Sequence, residues 1–281
     1  MRQIPNRPQH GFAKIKRGKA SLHLEYKWVG VPQSDHPVVV FLHEALGSIA
    51  LWKDFPERFC NHHGLSGLVF SRYGYGRSTP RPAIAQKPQS YLNEEVHELM
   101  PALFAELGIR KPWLFGHSEG GIASLLYAAA YPDSICGAIS IAPHTFIDDL
   151  TIKGIEETRA LYDSTDFRQK IGYYHDDPET IFSLWVGTWL NPEFRSWNIE
   201  NRLGGITSPI LVLQGEHDEY GTLEQIYRVK KHVPHAQLLV LPECGHFPHR
   251  DKAEELISRA GQFIKAHSTS QHSRRPEHHV C

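Results

Sequence analysis

Four cysteines, at positions 60, 136, 244 and 281, are all that 281 residues contain, and none stands in a C-x-x-C spacing. Neither a zinc ribbon nor a disulfide framework is therefore supported. No run approaches the ~20 consecutive apolar residues of a membrane span, so no membrane partner is expected. An excess of one charge is missing too: 30 Lys and Arg stand against 31 Asp and Glu, interspersed, for a net charge of −1. Such a balance offers no electrostatic footprint for nucleic acid. The first twenty residues are polar and interrupted by prolines, unlike a signal peptide, and a cytoplasmic location is the expectation.

What is present is a chain with 41% hydrophobic residues arranged in short apolar runs and longer helical periods. Residues 11–16 and 21–28 alternate apolar and polar around Arg17-Gly18-Lys19, the pattern of an antiparallel edge hairpin. Runs at 37–42, 68–71, 113–115, 138–142, 209–214 and 237–241 read as buried strands. Between them, residues 51–62, 91–107, 120–131 and 223–232 read as helices, and 253–267 as the last one. Alternating strand and helix gives an α/β fold, a mostly parallel sheet with helices on both faces. Residues 1–10 and 268–281 lack apolar periodicity and are expected to be poorly ordered tails.

The strand at Trp113 runs into Gly116-His117-Ser118-Glu119-Gly120 and straight on into a helix. That context makes Gly-x-Ser-x-Gly a nucleophile elbow: the serine occupies a strained turn, and flanking glycines let strand and helix approach without a clashing Cβ. A serine hydroxyl is a weak nucleophile at neutral pH, so it needs a histidine to take its proton and an acid to orient that histidine. Loops after two later strands offer both, Gly215-Glu216-His217-Asp218-Glu219 and Pro242-Glu243-Cys244-Gly245-His246-Phe247. Among 19 histidines, His43, His144 and His217 also follow apolar segments, and His249 competes nearby. His246, after a glycine in a strand-following loop, is the candidate base; Asp218 is preferred to Glu216 and Glu219 as the acid. Cys244 lacks the strand, elbow and helix setting of Ser118 and is not the nucleophile.

With the order Ser118, Asp218, His246, the chain resembles the α/β-hydrolase superfamily, in its capped serine esterase and C–C hydrolase-like group. His43-Glu44-Ala45-Leu46-Gly47-Ser48 is similar to the superfamily's His-Gly-x-x-Gly-Ser loop, and Ser71-Arg72-Tyr73-Gly74-Tyr75-Gly76-Arg77-Ser78 to its Asp-x-x-Gly-x-Gly-x-Ser segment. The motifs span residues 12 to 266 in the superfamily's order. The resemblance implies an eight-stranded α/β-hydrolase sheet and an oxyanion hole built from the backbone N–H groups of Ala45 and Glu119. Two departures stand out: Glu44 replaces a glycine and Ser71 an aspartate. A carboxylate aimed at a developing oxyanion opposes catalysis, so Glu44 and Glu119 are expected to turn away or engage a donor, with Arg72 the candidate.

More than a simple crossover separates the strand ending at Ala142 from the one beginning at Pro209. Residues 144–205 are therefore expected to form a helical cap on a core of 11–143 and 206–267, with helices at 153–163 and 178–190. The cap is rich in aromatic residues, and Trp185 and Trp189 join His43, Glu44 and Phe247 as substrate-pocket candidates. The chemistry these residues allow is acyl transfer to water through an acyl-enzyme, on a small apolar or aromatic ester, with no metal or organic cofactor required. The partner is then a small-molecule substrate, and the chain a monomer or homodimer. C–C bond hydrolysis of the meta-cleavage type, hydrolysis of a lactone, thioester or amide, and a hydrolase-fold receptor with little turnover all use the same residues.

Overall fold

The apolar runs of the sequence pair into one sheet of eight strands. The structure is a computed structural model and describes residues 8–30, 37–82 and 90–272. Its elements run β1 (His10–Arg17), β2 (Ala20–Gly30), β3 (Val39–Leu42), α1 (Phe55–His63), β4 (Ser66–Phe70), α2 (Tyr91–Glu94), a π-helical stretch (Glu95–Leu99) and α3 (Met100–Glu106). Then come β5 (Trp113–His117), α4 (Glu119–Ala130), β6 (Gly137–Ile141), α5 (Asp149–Ser164), α6 (Phe167–Gly172) and α7 (Pro178–Trp189). The chain closes with β7 (Ile210–Gly215), α8 (Glu224–His232), β8 (Gln237–Leu241), α9 (Pro248–Asp251) and α10 (Ala253–His272).

Strand order is β1-β2-β4-β3-β5-β6-β7-β8, with β1 and β2 antiparallel to their neighbours and all later pairings parallel. Strands β3 to β7 are buried on both faces, which is why they read as continuous apolar runs rather than as alternating ones. Side chains still alternate across the sheet. Val40, Leu42 and Leu114 pack on one face with Ile122 of α4, whereas Val39, Phe41, Trp113 and Phe115 pack on the other with Phe55 and Phe59 of α1 and Phe263 of α10. Cys60, Cys136 and Cys244 are buried free thiols, and Cys281 lies outside the described residues. Among the described residues no helix is long and apolar enough to cross a membrane.

Several boundaries differ from the sequence expectation, and three of them stand out. The helix expected over 51–62 is split into a 3₁₀ turn at Ile49–Trp52 and α1, because Lys53 takes φ 54° and Pro56 sits in the first turn of α1. His10 opens β1, paired with Lys27, instead of belonging to a tail. The last helix runs on to His272 rather than ending at His267, and the Ser268 hydroxyl bonds back to the Ile264 carbonyl at 2.9 Å. The remainder of the expected tails, residues 1–7 and 273–281, lies outside the described residues.

Between β6 and β7 the chain forms α5, α6 and α7. Asp148 caps α5 by accepting from the Thr151 N–H at 2.8 Å, and Asp177 caps α7, ahead of Pro178, through the Thr180 N–H at 3.1 Å. The second oxygen of Asp148 reaches beyond the helix, to the Thr222 N–H at 3.1 Å and the Gln225 amide at 3.1 Å. One carboxylate thus fixes both the start of α5 and the loop that follows β7. Asp148→Ala is expected to lower stability by about 1–2 kcal/mol, the usual loss of a capping side chain. A urea unfolding midpoint unchanged from wild type would refute that role.

Candidate active site

The elbow between β5 and α4 is tight because its glycines permit it. A Cβ on Gly116 would lie 2.1 Å from the Gly120 carbonyl oxygen, and one on Gly120 would lie 2.1 Å from that of Leu42. Ser118 between them takes φ 52° and ψ −117°, a conformation that costs a non-glycine residue about 1–3 kcal/mol. Its N–H donates to the Ile141 carbonyl at 2.8 Å, which anchors the strained turn on β6. The side chain stands at the N-terminus of α4.

Loops after β7 and β8 bring Asp218 and His246 to the same edge of the sheet. His246 Nδ1 lies 2.9 Å from both Asp218 carboxylate oxygens, and the two residues are buried. A carboxylate only accepts, so Nδ1 carries the proton and Nε2 is left as the basic nitrogen. Asp218 is held by the Tyr220 N–H at 2.9 Å and the Gln214 amide at 3.1 Å. Burial works against a charged imidazole at His246, but the Asp218 carboxylate outweighs it and raises the His246 pKa above the ordinary value of 6.5. Burial likewise opposes the Asp218 charge, yet His246 and the Tyr220 N–H keep that carboxyl below its ordinary range.

Both peptide groups of His246 are also engaged. Its N–H donates to Glu219 at 3.0 Å, and its carbonyl accepts from His117 Nε2 at 2.7 Å. Glu219, a rival of Asp218 in the sequence, thus holds the histidine loop instead of the imidazole; Glu216 is exposed. His249 packs its ring against Trp52 and His117 at centroid distances of 4.8 and 4.9 Å. Burial, with a smaller push from Asp251, raises the Cys244 thiol to about 11, so it is not a thiolate at neutral pH.

Ser118 and His246 open onto a cavity of about 170 Å³ walled by Trp185 and Trp189 of α7, Tyr220 and Phe247. Ala45 and Glu119 line it as well, as does Glu44. His43 does not: it is fully buried, with Nδ1 donating to the Glu44 carbonyl at 2.7 Å and Nε2 accepting from the Arg72 N–H at 3.0 Å. It was expected among the pocket residues, but its ring is consumed by two backbone bonds behind the loop. Of the two carboxylates beside the serine, Glu119 pairs with Arg72 as expected, Oε2 to Nη2 at 3.1 Å. Its other oxygen accepts from the Tyr91 hydroxyl at 2.8 Å and from Trp189 Nε1 at 3.0 Å. Glu44 also meets a partner, but not the expected Arg72. Its carboxylate faces His117 Nδ1 at 3.6 Å, and Arg72 binds its backbone carbonyl instead. Burial pushes the Glu44 carboxyl up, but the surrounding histidines, His117 foremost, hold it well below the usual range.

The model of the alpha/beta hydrolase family matches residues 22–259. The chain belongs to that family. Among curated relatives, this α/β-hydrolase is 27% identical over 173 residues to a 2-hydroxy-6-oxononadienedioate/2-hydroxy-6-oxononatrienedioate hydrolase of Comamonas testosteroni, covering 53% of this chain and 60% of that one. The match thus spans under two thirds of that relative. A hydrolase of the same name from Dechloromonas aromatica is 24% identical over 281 residues, 88% of this chain and 93% of its own. Among solved structures, the 2-hydroxy-6-oxo-6-phenylhexa-2,4-dienoate hydrolase of a Rhodococcus species aligns with a TM-score of 0.73 at 19% identity, over 91% of this chain and 99% of that one. That structural likeness carries the fold. The curated relatives that the chain matches are themselves named as hydrolases.

Sequence reasoning did not find Tyr91, which bonds Glu119 from an otherwise ordinary helix start. Nor did it find the contact of Glu44 with His117, which follows from the close approach of the β3 and β5 ends rather than from any local motif. The tie from Trp189 to Glu119 had a partial signal, since a buried indole N–H requires an acceptor.

Proposed function

We propose that this α/β-hydrolase uses Ser118, His246 and Asp218 to hydrolyse the C–C bond next to a carbonyl in a vinylogous diketone, with residues 144–205 as the cap over the site. The observation that carries the reading is the convergence of a strained serine and a carboxylate-oriented histidine on a cavity walled by aromatic side chains. The named activity of the relatives selects the bond. Among the described residues the Ser118 hydroxyl makes no hydrogen bond, and contacts of this kind tighten when substrate is bound.

In the proposed sequence Ser118 Oγ adds to the carbonyl carbon as His246 Nε2 takes its proton. Backbone N–H groups of Ala45 and Glu119 receive the oxyanion. The C–C bond then breaks, its electron pair flowing into the conjugated carbonyl of the departing fragment, and the imidazolium returns a proton to that fragment. Water, deprotonated by His246, cleaves the remaining acyl-enzyme to the acid and restores Ser118. Asp218 keeps Nε2 basic throughout.

Hydrolysis of a small apolar or aromatic ester is the second reading, favoured by the scarcity of polar groups in the cavity wall. The two separate in one assay. With 2-hydroxy-6-oxo-6-phenylhexa-2,4-dienoate and a series of p-nitrophenyl esters, kcat/KM is expected to be at least tenfold higher for the dienoate. The reverse order would transfer the conclusion to the ester.

A further inference from the structure

A single buried guanidinium touches the Glu44 carbonyl, which precedes the Ala45 N–H, and the side chain of Glu119. Arg72 Nη2 donates to the Glu44 carbonyl at 3.0 Å and to the Glu119 carboxylate at 3.1 Å. The Glu44 carbonyl also accepts from the Gly47 N–H at 3.1 Å and from His43 Nδ1 at 2.7 Å. His43 can donate there because its other nitrogen accepts from the backbone N–H of Arg72 at 3.0 Å, which fixes the tautomer. Arg72 therefore reaches one carbonyl oxygen twice, directly and through His43.

That oxygen belongs to the same peptide unit as the Ala45 N–H. In a planar trans peptide the two point in opposite directions, so three donors on the oxygen dictate where the N–H points, and a charged donor among them polarises it further. We propose that Arg72 is the positioning residue of the oxyanion hole, orienting the Ala45 N–H through the Glu44 carbonyl while clamping the Glu119 side chain beside the second N–H. Neither arm touches substrate. The inference rests on the assignment of Ser118 as nucleophile and of Ala45 and Glu119 as the hole.

Lysine at position 72 keeps the charge but replaces the rigid planar guanidinium with a shorter, flexible ammonium that does not hold the Nη2 position. Arg72→Lys is expected to slow fluorophosphonate labelling of Ser118 and kcat for p-nitrophenyl butyrate by about 10²- to 10³-fold, the range seen when one hole donor is lost. KM should stay within threefold, and affinity for phenylboronate, whose tetrahedral adduct places an oxygen in the hole, should fall with kcat. A purely structural role would instead move KM or the folded fraction. The double variant R72M/E119Q removes the guanidinium without leaving an unpaired buried carboxylate, and the same parallel loss is expected from it. Wild-type protein labelled at Ser118, with either folded variant within threefold of it in labelling rate and boronate affinity, would overturn the proposal alone. Wild-type protein that resists labelling would overturn the nucleophile assignment, and this inference with it.

Discussion

Ser118→Ala is expected to lower kcat by at least about 10⁴-fold, on the scale seen when a nucleophile is removed from sites of this type. The variant should fold, because the strained turn is set by Gly116, Gly120 and the Ser118 backbone, not by the hydroxyl, which bonds no described residue. Circular dichroism and the unfolding midpoint should match wild type while both turnover and fluorophosphonate labelling disappear. Ten per cent or more of wild-type activity in the alanine variant would mean that another group attacks the carbonyl.

Asp218→Asn is expected to cost about 10⁴-fold in kcat, the loss seen when a triad acid becomes an amide. The amide side chain can donate to Nδ1, which stabilises the tautomer with its proton on Nε2 and leaves no base facing the serine. The pH profile is the sharper readout. As the proposed base, His246 must be neutral to act, and its pKa is raised in the folded protein, so kcat/KM should rise with pH through a value above 6.5 in wild type. In the asparagine variant the carboxylate that raises it is gone while burial, which lowers it, remains. The acid limb must then shift to lower pH. An unshifted limb would show that His246 is not the titrating base or that Asp218 does not tune it.

The strand pattern was legible because β3 to β7 are buried on both faces and are built mostly of apolar residues. The three loops that carry Ser118, Asp218 and His246 were legible for the same reason, each following a strand whose end the apolar run defines. What the sequence could not supply is the direction of side chains that meet across elements. Nothing local says that His43 spends both ring nitrogens on backbone, that Glu44 turns toward His117, or that Tyr91 reaches Glu119. Helix ends were missed where a backbone torsion decides the matter, as at Lys53, or where periodicity fades before the helix does, as beyond His267.

The indole of Trp189 has a further consequence for any effort to change what the cavity admits. Because its N–H shares Glu119 with Tyr91 and Arg72, the roof of the chamber is wired to the floor through a single carboxylate. Carving space at that tryptophan also strips a donor from the charge standing next to Ser118, so enlarged variants should trade catalytic rate for breadth unless the substitute side chain offers a hydrogen of its own.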